Sequence, residues 1–516
     1  MKCNMQTNVL EYLEQTAERV PDKIAFADDT SALSFGEVSK RSKQIGCHLA
    51  SNQAAREPVL VYMKKSPETL TAFFGVIYAG CYYVPIDEDM PRRRIELILD
   101  NTKAKYLIYD ESTCGKVNEL SFTGRSFSYE ECLSFPQDHE KLARIRENSL
   151  DEDPIYVLFT SGSTGIPKGV VGHHRGVIDY IEGLTEALPF SEDTVFGNQT
   201  PLYLDACMKE IYPTLKYGAM TWLIPKEQFA IPVKLVEYLN EHKINTICWV
   251  VSALTMISTF GTFDVVKPKY LHTIAFGSEV FPIQQFNRWK ETLPHARFYN
   301  LYGPTEATGM SCYYYADRLF QESESIPIGK PFKNTRVYLL DEEGKEVPKG
   351  ENGEICISGT CLTHGYYNDA EKTAEVFTQN PLTPFYPQRI YHTGDIGRWN
   401  EDGNLMFISR EDHQIKHMGH RIELGEIEAD ARRIDGVTTC CSLYIKENNK
   451  IVLFFTGDTD KKHLTAALKE RLPRYMLPNA FVQTDQLPLT ANGKMDRQKM
   501  QEMYLEQKKK RRRKAE

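Results

Sequence analysis

"FTSGSTGIPKGVV", residues 159–171, continues the short apolar run "IYVLFT" (155–160). An apolar run of that length bounded by turn residues reads as a buried strand. The loop that follows is crowded with glycine, serine and threonine. Backbone N–H groups in a Gly-rich turn can wrap an anion, and hydroxyls add further donors. The nucleotide loop GxxxxGK[ST] is absent, because Lys168 is preceded by Pro167 and followed by Gly169. The stretch therefore predicts phosphate handling by a route other than that of a P-loop NTPase.

The same grammar extends on both sides. "PVLVYM" (58–63), "KYLIYD" (105–110) and "NTICWVV" (245–251) read as strands. "SPETLTAFFGVIYAG" (66–80) reads as a helix with Leu70, Phe73, Phe74, Ile77 and Tyr78 on one face, opened by Ser66-Pro67 and stopped by Gly80. "VKLVEYLNEHKI" (233–244) is a second helix. Strands alternating with helices predict an α/β protein with mixed, largely parallel sheets, and place ligands in loops beyond strand carboxyl ends. After about residue 325 the texture becomes β-rich. "TRVYLLDEEGKEVPKGENGEICISG" (335–359) is hairpin-like, with turns at "DEEG", "PKG" and "ENG". From about 411 a small α+β segment follows, with a helix over 424–434, strands near 441–456 and a helix over 461–472. The expected domains are a large one over 1–410 with a β-rich subdomain at about 325–410, a small mobile one over 411–503, and a disordered basic tail over 504–516.

A chain of 516 residues is too long for one compact core. Its net charge of −8 argues against a general nucleic-acid binder. The tail "KKKRRRKAE" (508–516) reads as a solvated end. The 12 cysteines include no CxxC pair, and neither adjacent Cys440 and Cys441 nor Cys356 and Cys361 has zinc-site or disulfide spacing. They read as reduced thiols of a cytoplasmic protein. The N-terminal segment is polar and amphipathic rather than a signal peptide, and no apolar run suffices for a membrane span.

Four further stretches carry chemistry. "NLYGPTEATG" (300–309) offers a flat ring at Tyr302 and, at Glu306, an oxygen ligand of the kind Mg²⁺ shares with substrate phosphates. "YHTGDIGRW" (391–399) presents Asp395 after a turn, where a carboxylate can accept both hydroxyls of a ribose. "SREDHQIKHMGHRIELGEIEA" (409–429) is dense in charge, and "PLTANGKMDR" (488–497) presents Lys494. Each alone is a common Gly/Pro/Asp turn or a solvated face.

Their joint order resembles the adenylate-forming enzymes, and within them the amino-acid adenylation domains of nonribosomal peptide synthesis. The resemblance runs from about residue 8 to 500 and also includes "GEICISG". The D-alanine–carrier-protein ligases are related, and "DACMKEIYPTL" (205–215) is similar to theirs. The resemblance implies ATP and Mg²⁺ as cofactors. It implies an acyl-adenylate made with release of pyrophosphate, then transfer to a carrier thiol. It assigns Thr160, Ser161, Gly162, Ser163, Thr164, Gly165 and Lys168 to the loop over the β,γ-phosphates. Asn300, Leu301 and Tyr302 would hold adenine, with Phe407 also in the nucleotide site. Asp395, with Arg410 beside it, would hold the ribose. Thr305 would touch the α-phosphate and Glu306 would bind the metal. Lys494 would bridge substrate carboxylate and ribose, and Lys416 is a further catalytic position. Asp412 matches the hinge about which the small domain rotates, bringing a face around Gly419 to the thiol entry. The sequence departs from the family at Ser409, where glycine is usual, and at His417-Met418, where Ile-Arg is usual; both lie toward the thiolation face.

The family's aspartate for the substrate α-ammonium matches Asp205, which favours an amino acid over a fatty or aryl acid. Motif alignment lines the side-chain pocket with Ala206, Lys209, Cys248, Ile274, Phe276, Leu301, Gly309 and Met310. Lys209 favours an acidic substrate, glutamate or aspartate, unless it snorkels away or pairs with Glu210. A bulky Phe276 would instead shorten the pocket toward alanine, and both substrate classes stay open. Few residues follow Arg497 and none forms a phosphopantetheine attachment motif, so the expected carrier protein acts in trans. The alternatives are an acyl- or aryl-CoA ligase on the same scaffold and a degenerate adenylation domain serving as scaffold. Glu306, Asp395 and Lys494, all intact, argue against the latter.

Overall fold

The computed structural model describes residues 5–162, 165–410, 414–488 and 495–515, with side chains described except at residue 447 and from 509 onward. The chain forms two compact units. One comprises Met1–Glu88, Asn101–Phe159 and Gly169–Glu411; the other comprises Asp89–Asp100, Thr160–Lys168 and Asp412–Glu516.

The first unit is built on three sheets. A nine-stranded sheet has a parallel centre made by Met220–Leu223, Val195–Asn198, Thr246–Val250, Thr273–Gly277 and Arg297–Tyr302. Cys312–Tyr315 then adds antiparallel to Arg297–Tyr302. A six-stranded sheet contains the parallel strands Arg125–Ser128, Tyr106–Tyr109, Pro58–Tyr62 and Tyr82–Ile86, then Pro154–Thr160 and Lys168–His173. The loop of residues 161–167 leaves from the end of Pro154–Thr160. The helix Pro67–Tyr78 forms where its start and stop signals place it. The Ser66 hydroxyl accepts from Thr69 N–H, Pro67 takes the first turn, and Gly80 follows at φ +68°. All of its residues except Glu68 are buried, so its apolar stripe widens to nearly the whole circumference.

The third sheet is the β-rich subdomain. Thr335–Leu340 and Gly353–Gly359 pair antiparallel as the hairpin pattern predicts, and Arg389–Trp399 pairs with both Gly353–Gly359 and Leu405–Arg410. This register sets Asp395 opposite Arg410.

In the second unit the hairpin Gln414–His417 and His420–Glu423 turns through Met418 and Gly419, both at positive φ, as two-residue hairpin turns require. A three-stranded sheet, Val437–Ile445, Lys450–Gly457 and Ala480–Gln483, follows. Leu424–Arg432 and Lys461–Lys469 cover one face through Ile427, Leu464 and Leu468. The other face is covered from the chain's last helix, Arg497–Ala515, through Met500, Tyr504 and Leu505. This corrects the disordered tail read over 504–516. Lysine and arginine favour the helix, and the apolar residues in its first half anchor it. Among the described residues no helix is long and apolar enough to cross a membrane.

Candidate active site

Three groups of side chains in the first unit coincide with the sequence motifs. The first centres on Asp395, which is almost fully buried. Its Oδ2 accepts from the Tyr302 hydroxyl at 2.6 Å, and its Oδ1 pairs with Arg410. Its own N–H donates to Thr393 Oγ1 at 3.0 Å, and Arg410 Nη2 donates to Thr393 O at 3.2 Å. A buried carboxylate is tolerable only when paired and hydrogen-bonded, and here both oxygens are. Asn300, on the same strand as Tyr302, donates to Pro327 O at 2.8 Å. Leu301 is buried, and Phe407 packs against the cluster that contains Tyr302.

The second group follows the Gly303-Pro304 turn. Residues Thr305–Ala307 make one tight helical turn that buries Glu306 completely. Glu306 Oε1 accepts from the Tyr366 hydroxyl at 2.7 Å, and its carbonyl accepts from Thr363 N–H at 3.0 Å. Thr363 Oγ1 is buried with no hydrogen-bond partner among the described residues. The Glu306 carboxylate is an oxygen donor of the kind that a hard cation such as Mg²⁺ takes.

The third group lies at the turn Asp205–Cys207, which runs directly into the helix Met208–Tyr217. Burial pushes the Asp205 carboxyl above its usual range. A hydrogen bond with the Thr305 side chain and the nearby Lys209 charge oppose that rise, and Glu306 adds to it. Lys209 is 1% exposed, and its charge acts on both Asp205 and Glu210. Glu210 is bonded elsewhere: Asn198 and the Cys248 N–H donate to it. Burial raises the Glu210 carboxyl, opposed by Asn198, Lys209 and Lys65. Lys65 is lowered by burial and donates to the carbonyls of Asn198, at 3.0 Å, and Gln199, at 3.2 Å. The hydroxyls of Tyr156 and Tyr180 feel the Asp205 charge, and that of Tyr180 has no hydrogen-bond partner among the described residues. Gly309, at φ +92°, brings its backbone so close to Tyr180 that a Cβ would sit 3.1 Å from the ring.

The pocket lining needs one correction. Ile274 and Phe276 do not share a face with Cys248, Leu301 and Met310. Their side chains lie in a separate core, where Phe276 packs on Phe281 and Phe286 at 5.0 and 5.9 Å. The face they were assigned is presented by Ala275, which pairs in register with Cys248 and shares its core with Leu301 and Met310. Along a strand a one-residue offset moves a side chain to the opposite side of the sheet. Ala206, like Met310, is buried.

The Gly/Ser/Thr-rich stretch Thr160–Lys168 belongs to the second unit. Ser161 Oγ donates to Arg421 O at 2.7 Å and accepts from Glu423 N–H at 3.2 Å. Gly162 N–H donates to Glu426 Oε2 at 3.1 Å, and Lys168 Nζ stands 3.6 Å from Glu423 Oε1. Glu426 also pairs with Arg94 at 2.6 Å, both buried. Burial raises the Glu426 carboxyl, and Arg94 opposes it. Thr160 Oγ1 reaches Lys168 O at 3.5 Å, and Gly165 takes φ +81°. Lys416 lies on the strand Gln414–His417. Ser163, Thr164, Asp412 and Lys494 lie outside the described residues. Tyr366, Asn198 and Lys65 had no local sequence signal, since each acts on a residue distant in the chain through the fold's tertiary pairing.

Residues 13–367 match the family described as AMP-binding enzyme. Zwittermicin A synthase ZmaJ of Bacillus cereus is 31% identical over 96% of this chain and 94% of its own length. Tyrocidine synthase 1 of Brevibacillus parabrevis is 30% identical over 96% of this chain, which spans 45% of that protein. Bacitracin synthase 1 of Bacillus licheniformis is 33% identical over 95% of this chain, which spans only 9% of that protein. Among solved structures, PA1221, described as an NRPS protein containing adenylation and PCP domains, is 25% identical with a TM-score of 0.81, covering 96% of this chain and 97% of that one. The Vibrio cholerae adenylation domain AlmE shares the fold at 19% identity and a TM-score of 0.83, over 98% and 99% of the two chains. The chain belongs to the AMP-binding enzymes, a family of adenylate-forming ligases, and is similar throughout to the adenylation domains of peptide synthases.

Proposed function

We propose that this chain activates an amino acid with an acidic side chain, using ATP and Mg²⁺, and passes it to the phosphopantetheine thiol of a carrier protein acting in trans. The observation that carries the substrate assignment is the pair Asp205 and Lys209. A carboxylate held above its usual range by burial is relieved by a ligand ammonium. A buried ammonium is relieved by a ligand carboxylate. An amino acid with a side-chain carboxylate supplies both. The size argument for a small substrate loses its basis, because Ala275 replaces Phe276 on that face.

In this reading the substrate carboxylate attacks the α-phosphorus of ATP and pyrophosphate leaves. Asp395 accepts the ribose hydroxyls, in a position fixed by Tyr302 and Arg410. Thr305 contacts the α-phosphate. Glu306, oriented by Tyr366, holds Mg²⁺, which neutralises phosphate charge when bound. Lys494 bridges substrate carboxylate and ribose. Nucleotidyl transfer needs mostly positioning and charge neutralisation, and these side chains supply both.

The test is trapping of the activated acid as a hydroxamate by hydroxylamine, comparing glutamate, glutarate and 2-aminobutyrate. Glutamate should react, and each analogue, lacking one charge, should lose on the order of 10²-fold or more. Equal reaction of glutarate would favour an acyl ligase. No reaction of any acid, aryl acids included, would favour the scaffold reading.

A further inference from the structure

Away from the nucleotide and substrate groups, the β-rich subdomain brings together three metal-ligating side chains from two paired strands. Glu354 and Cys356 lie on Gly353–Gly359, and His392 lies on Arg389–Trp399; the register pairs Cys356 with His392 directly. Their ligand atoms lie within 4.8 Å of one another. Cys356 Sγ stands 3.5 Å from His392 Nδ1 and 3.8 Å from Glu354 Oε2, and Nδ1 stands 2.7 Å from Oε2.

We propose that Glu354, Cys356 and His392 form a binding site for a zinc-class divalent cation, with water completing the coordination. With Zn–S of about 2.3 Å and Zn–N and Zn–O of about 2.0 Å, a tetrahedral site has S–N and S–O edges of about 3.5 Å and an N–O edge of about 3.3 Å. The two sulfur edges already have nearly that length. The third opens by about 0.6 Å on that geometry once the proton between His392 and Glu354 gives way to the cation. The surroundings are those of a ligand set held in place. His392 Nε2 bonds Thr378 Oγ1 at 3.0 Å, which leaves Nδ1 aimed at the site. Glu354 Oε1 accepts from Gly394 N–H at 2.9 Å, which leaves Oε2 aimed there too. Such outer bonds fix the tautomer and orientation of metal ligands. Cys356 is fully buried, while the His392 and Glu354 side chains are 30% and 20% exposed, so ion and water enter from that side. Thiolate with imidazole and carboxylate selects zinc-class cations over Mg²⁺. The cation would clip together two strands, one of which carries Asp395 three residues beyond His392.

The test uses the full chain in a Cys3→Ser, Cys114→Ser background, which removes exposed Cys114 and the N-terminal cysteine as competing thiols. Titration with Co²⁺ should give thiolate-to-metal charge-transfer and tetrahedral d–d bands saturating at one equivalent and erased by Zn²⁺. The bands should vanish in Cys356→Ser and weaken at least tenfold in apparent affinity in His392→Gln. Zn²⁺ should raise the melting temperature of the parent and not that of His392→Gln. Absence of charge-transfer bands in the parent would overturn the site, as would bands that persist in both variants. The parent titration decides even where Cys356→Ser fails to fold.

Discussion

At the scale of single residues, Asp205 is the side chain on which stability and activity pull in opposite directions. Burial raises its carboxyl, so folding favours the protonated form. The linkage has one sign: the fold is favoured at low pH, and stability is lost as pH rises through the raised value. Asp205→Asn should therefore raise the melting temperature at pH 8 and leave it nearly unchanged near pH 4. The same substitution should lower amino-acid-dependent activity by on the order of 10²-fold. A lower melting temperature at pH 8, seen by calorimetry, would contradict this account. Glu306 and Asp395 were legible as candidates because each sits in a short motif with its own turn, and Asp205 through the resemblance to the family. Their holders were not. Tyr366 reaches Glu306, and Tyr302 reaches Asp395, from segments distant in the chain that no local pattern links to them.

Single elements show where sequence reading holds and where it slips. The helix Pro67–Tyr78 was legible from its cap and its glycine stop. The facing of the strand Thr273–Gly277 was not legible, because a buried parallel strand is apolar on both sides and its alternation carries no signal. The last helix was hidden by its charge, since basic residues read as solvated whether or not they are helical. In the loop of residues 160–168, Ser161 and Gly162 bond to the segment 421–426. Glu426→Gln should weaken that hold and remove the Glu426 charge from its ion pair with buried Arg94. The expected cost is about 3 kcal/mol in the second unit. Hydrogen exchange at residues 160–168 should quicken, and unchanged protection there would show that Glu426 does not hold the loop.

For the whole molecule, alternation of strands and helices pointed to an α/β architecture with a smaller C-terminal unit, and the fold is of that class. What the sequence did not disclose is that residues 89–100 and 160–168 cluster with the C-terminal segment rather than with their chain neighbours. From the resemblance we propose a hinge at Asp412. Asp412→Pro restricts φ at that position and should slow carrier loading at least tenfold more than adenylate formation. Equal losses in the two half-reactions, measured separately by single turnover, would count against a hinge there.

The most direct measurement is ATP–pyrophosphate exchange by the full chain with each amino acid in both stereochemical forms, run in parallel with Lys209→Ala. The account predicts saturable exchange with glutamate or aspartate that falls on the order of 10²-fold in Lys209→Ala. Exchange with alanine or another small amino acid that is indifferent to Lys209 would contradict it.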